Sequence, residues 1–350
     1  MNAAIEEFSV TTRRNALAGL LGGAFLTATG LSACGSSGAS ASGSQVKELR
    51  YQGSVGTVTL PELAADLGYL GDVTLKWIGN TISGPQDIQA ATTGDVDFGG
   101  AFNGAIVKLA ANGAPITAVI GYYGVDKDTY TGYYVLDGSP VTSARDLIGK
   151  KIGVNTLGAH HEAVIKTYLA KNNLTDAEIK QVELIVVPPV NTEQSVRQSQ
   201  IDAGALGGVL RDKALTRGGI HPLFTDFDLL GKFTAGSYIF RDDFLKKNPD
   251  TVKTFVSGVG KAIEWSRSTP VDQVIARFQE IVKKRGRSED NSSLQFFKSY
   301  GVAGKGGVIA DAEFQTWIDW LSRAGELKKD IKPADIFSNK YNSFAEGGAA

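Results

Sequence analysis

Chemistry in this 350-residue chain could reside in an adjacent histidine pair, His160-His161, one cysteine, Cys34, and a set of turns rich in glycine and hydroxyls. The spacing of these residues excludes most reactions. No nucleophile stands with a base and an orienting acid, no phosphate loop is present, and no carboxylate–histidine cluster marks an active site. One Cys leaves no intrachain disulfide, multi-cysteine zinc site or iron–sulfur cluster, and three His leave little for a metal. What the residues suit is binding. Ser83-Gly84-Pro85-Gln86 reads as a capping box with Pro in the first turn, where its missing N–H removes nothing. A helix N-terminus exposes unpaired N–H groups and a partial positive charge, so it can hold an oxyanion without Lys or Arg.

The elements that must position such turns follow an α/β plan. Glu48–Gln52 and Val73–Ile78 read as strands, with a helix from Thr59 between them and Glu62 in capping-box spacing. A second helix runs from Ser83 to about Thr93 and turns at Gly94 into a short strand, Val96–Gly99. The plan recurs with Lys151–Val154, a helix over His160–Lys171, Val182–Val187 and a helix capped by Asn191. Ser199-Gln200-Ile201-Asp202-Ala203-Gly204 then parallels Gly94-Asp95-Val96-Asp97-Phe98-Gly99. Two lobes of similar plan are expected, 46–135 with 236–350 and 136–235. The strands Gly132–Leu136 and Gly236–Phe240 are read as the crossings between them. The C-terminal third reads as helices over Pro249–Ser266, Pro270–Lys284, Ser292–Tyr300 and Asp311–Ala324.

Composition agrees with a globular body. Hydrophobic residues make up 42% and charged residues 21%, and 36 Lys+Arg nearly cancel 37 Asp+Glu. Net charge −1 gives no basic excess for a nucleic acid. The N-terminus differs from the rest. Arg13-Arg14 precede an uncharged, Gly/Ala-diluted stretch, 15–33, that ends Leu31-Ser32-Ala33-Cys34. Those four residues resemble a bacterial lipobox, in which the Cys thiol is lipidated and becomes the new N-terminus. The stretch is shorter and less apolar than the ~20 residues a membrane anchor needs. Residues 1–33 are therefore expected as an export signal, by the twin-arginine or the general route. Residues 34–45 are expected as a flexible tether, with the body hung from a lipid outside the cytoplasmic membrane.

Several segments, in order, resemble the solute-binding proteins of ABC importers for nitrate, aliphatic sulfonates and taurine. They are Ser83–Gln86 with Gly94–Gly99, Asp146–Val154, Val187-Pro188-Pro189, and Phe244–Pro249 leading into Ala262–Trp265. The resemblance implies a two-lobe, periplasmic-binding-protein-like fold of type II, with two hinge strands and a ligand cleft between the lobes. It also implies a monomer that closes on its ligand and presents it to a permease and its ATPase, with no cofactor. Ligands in such sheets sit at the carboxyl ends of strands. That places Gln52, Ser54, Ser83, Gly84 and Asn103 on the first lobe, and Thr156, Gly158, Ala159, His160, Gly208 and Arg211 on the second.

Two stretches depart from the family's pattern. Leu157-Gly158-Ala159-His160-His161 lacks the usual hydroxyls, and Gly207-Gly208-Val209 replaces an aromatic and an acid, leaving a roomier and less negative cleft. Alternatives stay open for most of these residues. Arg211 can pair with Asp212 on a surface helix, Tyr122-Tyr123 can stack on ligand or pack near the hinge, and Lys283–Arg287 can be a solvated helix end or a permease contact. The functional expectation is a receptor for a small oxyanion-bearing solute. A second reading takes a pyrimidine or other heteroaromatic vitamin precursor. A third, an enzyme like those that make the thiamin pyrimidine, is opposed by the lack of any Cys beyond Cys34.

Overall fold

The computed structural model describes residues 44–345, and the expected signal and most of the expected tether lie outside them. Three sheets organise the chain. In the first lobe, β1 (Glu48–Gly53) pairs in parallel with β2 (Thr74–Asn80), with α1 (Leu60–Asp66) between them and α2 (Gly84–Thr93) after. Then come β3 (Phe98–Phe102), α3 (Asn103–Ala111) and β4 (Ile116–Val125). The second lobe holds β5 (Thr131–Leu136), β6 (Lys151–Val154), α4 (His160–Lys171), α5 (Asp176–Ile179), β7 (Glu183–Val186), α6 (Pro189–Arg197), β8 (Ala203–Gly207), α7 (Gly208–Leu215), β9 (Ile220–Thr225) and α8 (Asp226–Leu230). Its five strands lie in the order β7-β6-β8-β5-β9. The chain then returns to the first lobe as β10 (Phe233–Arg241), which lies antiparallel between β3 and β4. Helices α9 (Asp242–Lys247), α10 (Pro249–Ser268), α11 (Val271–Arg285) and α12 (Ala312–Arg323) follow.

The passages between lobes are residues 126–130 and 231–232. The strands expected as crossings flank them: β5 opens the second lobe's sheet and β10 reopens the first lobe's. Each lobe has its own apolar core. Leu60, Leu63, Phe98, Phe240, Phe255 and Phe278 fill one side of the first lobe, and Phe102, Ile106, Phe314 and Trp317 the other. Tyr133, Ile152, Val164 and Leu169 fill the second lobe. Two residues break this division. Ala163, on α4 of the second lobe, packs into the first lobe's cluster, and Leu230, at the end of α8, packs against that cluster as well as its own lobe's core, so the lobes touch there.

Local structure follows the capping logic in some places and not in others. Thr59 and Glu62 form the expected capping box at α1. Ser83 takes the extended N-cap conformation, but its side chain makes no cap bond. The amide of Ser83 instead donates to Thr81 Oγ1 at 3.3 Å, and that hydroxyl donates to the Ser83 carbonyl at 3.0 Å. Pro85, without an N–H, removes one of the two donors a cap would serve. Asn191 does not cap α6 either, because the helix begins at Pro189. The helix expected over Ser292–Tyr300 is a single 3₁₀ turn, Leu294–Phe296.

Candidate functional site

A cavity of about 420 Å³ opens between the lobes at the carboxyl ends of their strands. Three helix starts border it: Gly84-Pro85 of α2, Ala159-His160 before and at α4, and Gly207-Gly208 at α7. The first-turn N–H groups of each helix lack intrahelical acceptors, so three sets of donors and three positive dipole ends share one cavity. Thr156 lines it as well. Gly84 is there for a steric reason. A Cβ at this position would stand 2.9 Å from Ala101 Cα and 3.3 Å from the Gly100 carbonyl oxygen, so only glycine lets α2 start against β3. Gly208 has φ +50 and open space where its Cβ would be.

The walls are aromatic. Tyr122 and Tyr123 at the end of β4, Phe102, Tyr130, Tyr300, His160 and His161 all face the cavity, and no Lys or Arg does. Burial pushes the Tyr122 and Tyr123 phenols above their ordinary value, so they stay protonated donors. Burial, reinforced by neighbouring His160, drops His161 to about 3 and keeps it neutral. His160 is 8% exposed and spans the lobes. Its ring stacks on Phe102 of the first lobe at 5.3 Å and 11°, and its Nε2 faces Asp226 Oδ2 at 3.3 Å. Asp226 is fully buried and accepts the Thr131 N–H at 2.9 Å, so it ties α8, α4 and the start of β5 together.

Of the expected site residues, Gly84, Thr156, Ala159, His160 and Gly208 line this cavity, and the others do not. Asn103 is fully buried: Nδ2 donates to the Thr234 and Glu313 carbonyls at 3.2 and 3.3 Å, and Oδ1 accepts from Ser237 at 2.8 Å. Its polar capacity is committed to the fold, so it is no ligand donor. Arg211 is also committed, 1% exposed, and serves the crossing instead of the cleft. Its Nη1 and Nη2 donate to the carbonyls of Tyr130 and Asp128 at 3.0 and 2.8 Å, its Nε donates to Asp212 at 2.7 Å, and the guanidinium covers the Tyr130 ring at 3.8 Å. Gly158 lines a neighbouring groove, and its N–H is taken by Glu162 at 2.8 Å. Gln52 on β1, Ser54 just after that strand and Ser83 before α2 lie outside the lining.

The basic run Lys283–Arg287 divides. Lys283 and Lys284 are the solvated end of α11, whereas Arg285 and Arg287 turn inward as partners of Glu62, with Tyr51 and Glu289 beside them. Sequence reasoning missed Phe102, Tyr130, Tyr300 and Asp226. Asp226 was findable, since it follows Thr225 at a strand's carboxyl end, but Pro222 hides the alternation of β9.

Comparison with known proteins now places the chain. Residues 63–273 match the family described as NMT1/THI5 like. The chain belongs to this family. The alkanesulfonate-binding protein SsuA from Xanthomonas axonopodis pv. citri, solved bound to MOPS, aligns with a TM-score of 0.65 at 18% identity, over 85% of this chain and 99% of its own. The periplasmic nitrate-binding protein NrtA from Synechocystis PCC 6803 aligns with a TM-score of 0.63 at 14% identity, over 85% of this chain and 87% of its own. These likenesses show the two-lobe α/β binding-protein fold. By sequence, the chain is 25% identical over 300 residues to 4-amino-5-hydroxymethyl-2-methylpyrimidine phosphate synthase THI12 of Saccharomyces cerevisiae, covering 81% of this chain and 82% of that one. Among the described residues, no helix is long and apolar enough to cross a membrane, and no group of three His, Cys, Asp or Glu is set to hold a metal ion.

Proposed function

We propose that the protein is the extracytoplasmic solute-binding receptor of an ABC importer, with no catalytic activity of its own. It holds a small solute bearing an oxyanion, of the sulfonate, taurine or nitrate class, between its lobes and delivers it to a membrane permease. The observation that carries this reading is the meeting of three helix starts, at Gly84, His160 and Gly208, on one cavity with no cation in its lining. Hydrogen bonds from backbone amides to a charged acceptor are worth about 1.5–3 kcal/mol each, so a few of them replace a Lys or Arg. In this reading Cys34 carries the lipid anchor, 34–45 the tether, and the body works as a monomer outside the cytoplasmic membrane. Fractionation of a Cys34→Ser variant is the check, since a protein that stays with the membrane through 15–33 removes the anchor.

A thermal-shift and calorimetric panel of sulfonates, nitrate, taurine and pyrimidines tests the binding reading. A ligand at a hundred times its Kd raises stability by about 2.7 kcal/mol. Gly84→Asp sets a like charge against the anion and a Cβ against Ala101, and abolishes oxyanion binding. Normal oxyanion binding by Gly84→Asp would place the solute elsewhere. One observation favours the second reading, a pyrimidine or similar heteroaromatic. Tyr122, Tyr123 and Tyr130 line the cavity with aromatic rings that suit a flat solute, and the yeast relative is named for a pyrimidine phosphate.

A further inference from the structure

We propose that the solute of this cavity is an aromatic acid, its flat ring held by the tyrosine faces and its oxyanion turned to the helix starts. The inference rests on the oxyanion reading above and narrows it. Three features of the cavity lead to it together.

The first is the shape of the walls. Tyr122 stacks one face on Tyr238 at 4.2 Å and 21°, which fixes its ring as a flat surface beside the cavity. Tyr130 is held in the same way from behind by the Arg211 guanidinium at 3.8 Å. Phe102, 3% exposed and stacked under His160 at 5.3 Å, is a third immobile ring that backs the wall behind the imidazole. These rings belong to different segments, β4, the crossing 126–130 and β3. A floor of fixed aromatic faces rewards a planar, apolar body and offers an aliphatic chain only area.

The second is charge placement. Positive character sits at the helix starts and, indirectly, behind Tyr130, where a buried guanidinium withdraws density from the ring face and favours an electron-rich partner. The groups nearer the walls are uncharged. The Tyr122 and Tyr123 phenols stay protonated, and His161 is neutral. One end of the site therefore takes an anion and the remainder takes a neutral ring with polar substituents.

The third is size. A cavity of about 420 Å³ falls in the range of sites for ring-bearing small molecules. Nitrate, with four heavy atoms, would leave most of it unfilled.

Calorimetry at neutral pH with three pairs of probes tests this. Benzoate and benzenesulfonate carry ring and charge, acetate and ethanesulfonate carry charge alone, and benzamide and pyrimidine carry a ring alone. The expected result is that the aromatic acids bind at least about tenfold more tightly than either other pair. Tyr123→Leu then lowers benzenesulfonate affinity and leaves ethanesulfonate unchanged, with an unchanged unfolding midpoint showing that the fold is intact. Tyr130→Leu serves as the second variant from the opposite lobe's side. If ethanesulfonate binds as tightly as benzenesulfonate, the ring plays no part; the inference falls while the oxyanion reading stands. If benzamide or pyrimidine matches the aromatic acids, the charge plays no part and both fall. Binding of none of the six also overturns both.

Discussion

Asp97 in the first lobe and Asp202 in the second hold equivalent places in their lobes. The Asp97 N–H donates to the Arg50 carbonyl at 3.0 Å, and the Arg50 N–H donates back to its carboxylate at 2.7 Å. The Asp202 N–H donates to the Lys151 carbonyl at 2.9 Å, and the Lys151 N–H donates back at 2.9 Å. In each lobe an acid just before a strand pins the first strand of that lobe's repeat, β1 in one and β6 in the other. The surroundings then diverge. In the first lobe α12 brings Glu313 and Trp317 against the start of α3. In the second lobe the C-terminal segment reaches α7 through the turn Leu294–Phe296, with Ser292 on Lys213 and Lys298 on Asp212, while the start of that helix, Gly208, opens on the cleft. A repeated plan thus gives one plugged helix start and one available, and the difference comes from a segment outside the repeat.

The largest contrast lies between two buried carboxylates beneath the cleft. Asp226 accepts the Thr131 N–H on Oδ1, and its Oδ2 faces His160 Nε2 at 3.3 Å. Asp87, by comparison, has only the Gly100 N–H at 2.7 Å, and burial raises its pKa to about 7. The folded state therefore keeps a proton that the unfolded chain releases from about pH 4 upward. Stability falls as pH rises from there to about 7, and this contribution is flat above. Asp87→Asn keeps an acceptor for Gly100 and removes the falling limb, so the variant matches the wild type near pH 4 and exceeds it at pH 8. Urea unfolding at several pH values measures this. A wild type whose stability does not fall between pH 4 and 7 relative to Asp87→Asn would mean that Asp87 is solvated.

The pinning acids come next. Asp97 is 6% exposed at its side chain and takes Arg50 Nη2 at 2.6 Å, whereas Asp202 is 35% exposed and has Lys150 Nζ only at 3.6 Å. Asp97→Ala should cost about 3 kcal/mol, and Asp202→Ala about 1 kcal/mol. Equal losses in urea midpoints would mean that burial does not separate the two lobes' pins.

The sequence made the alternation, the two parallel segments that hold Asp97 and Asp202, and the helix starts at Ser83 and His160 readable, because each depends on local spacing. Asn103 and Arg211 were misplaced for a shared reason. Each stands at a strand's carboxyl end, where a ligand donor belongs, and each is consumed by chain more than 75 residues away: Ser237, Thr234 and Glu313 for Asn103, Asp128 and Tyr130 for Arg211. Ser83 failed as a cap because a hydroxyl two residues earlier competes for its backbone. The aromatic lining was only partly legible. Tyr122-Tyr123 stood out as a pair, but Phe102, Tyr130 and Tyr300 converge only once three segments are assembled.

The smallest expected effect bears most directly on the cleft. Asn103 and Gly208 both begin the helix that follows the third strand of their lobe's repeat, one sealed and one open. Asn103→Ala strips the partners from Ser237 and two carbonyls and should cost about 2 kcal/mol of stability, without changing the affinity for any oxyanion found to bind. Gly208→Ala asks an alanine to take φ +50, at about 1 kcal/mol, with nothing within 4 Å to clash. Its methyl instead enters the space beside the free first-turn donors of α7. Affinity should fall about threefold to tenfold, as expected when a small group crowds a donor worth about 1 kcal/mol. Calorimetry on both variants with one ligand decides the matter. Should Asn103→Ala weaken binding and Gly208→Ala leave it unchanged, the open and plugged helix starts would have to be exchanged, and the ligand would lie against α3.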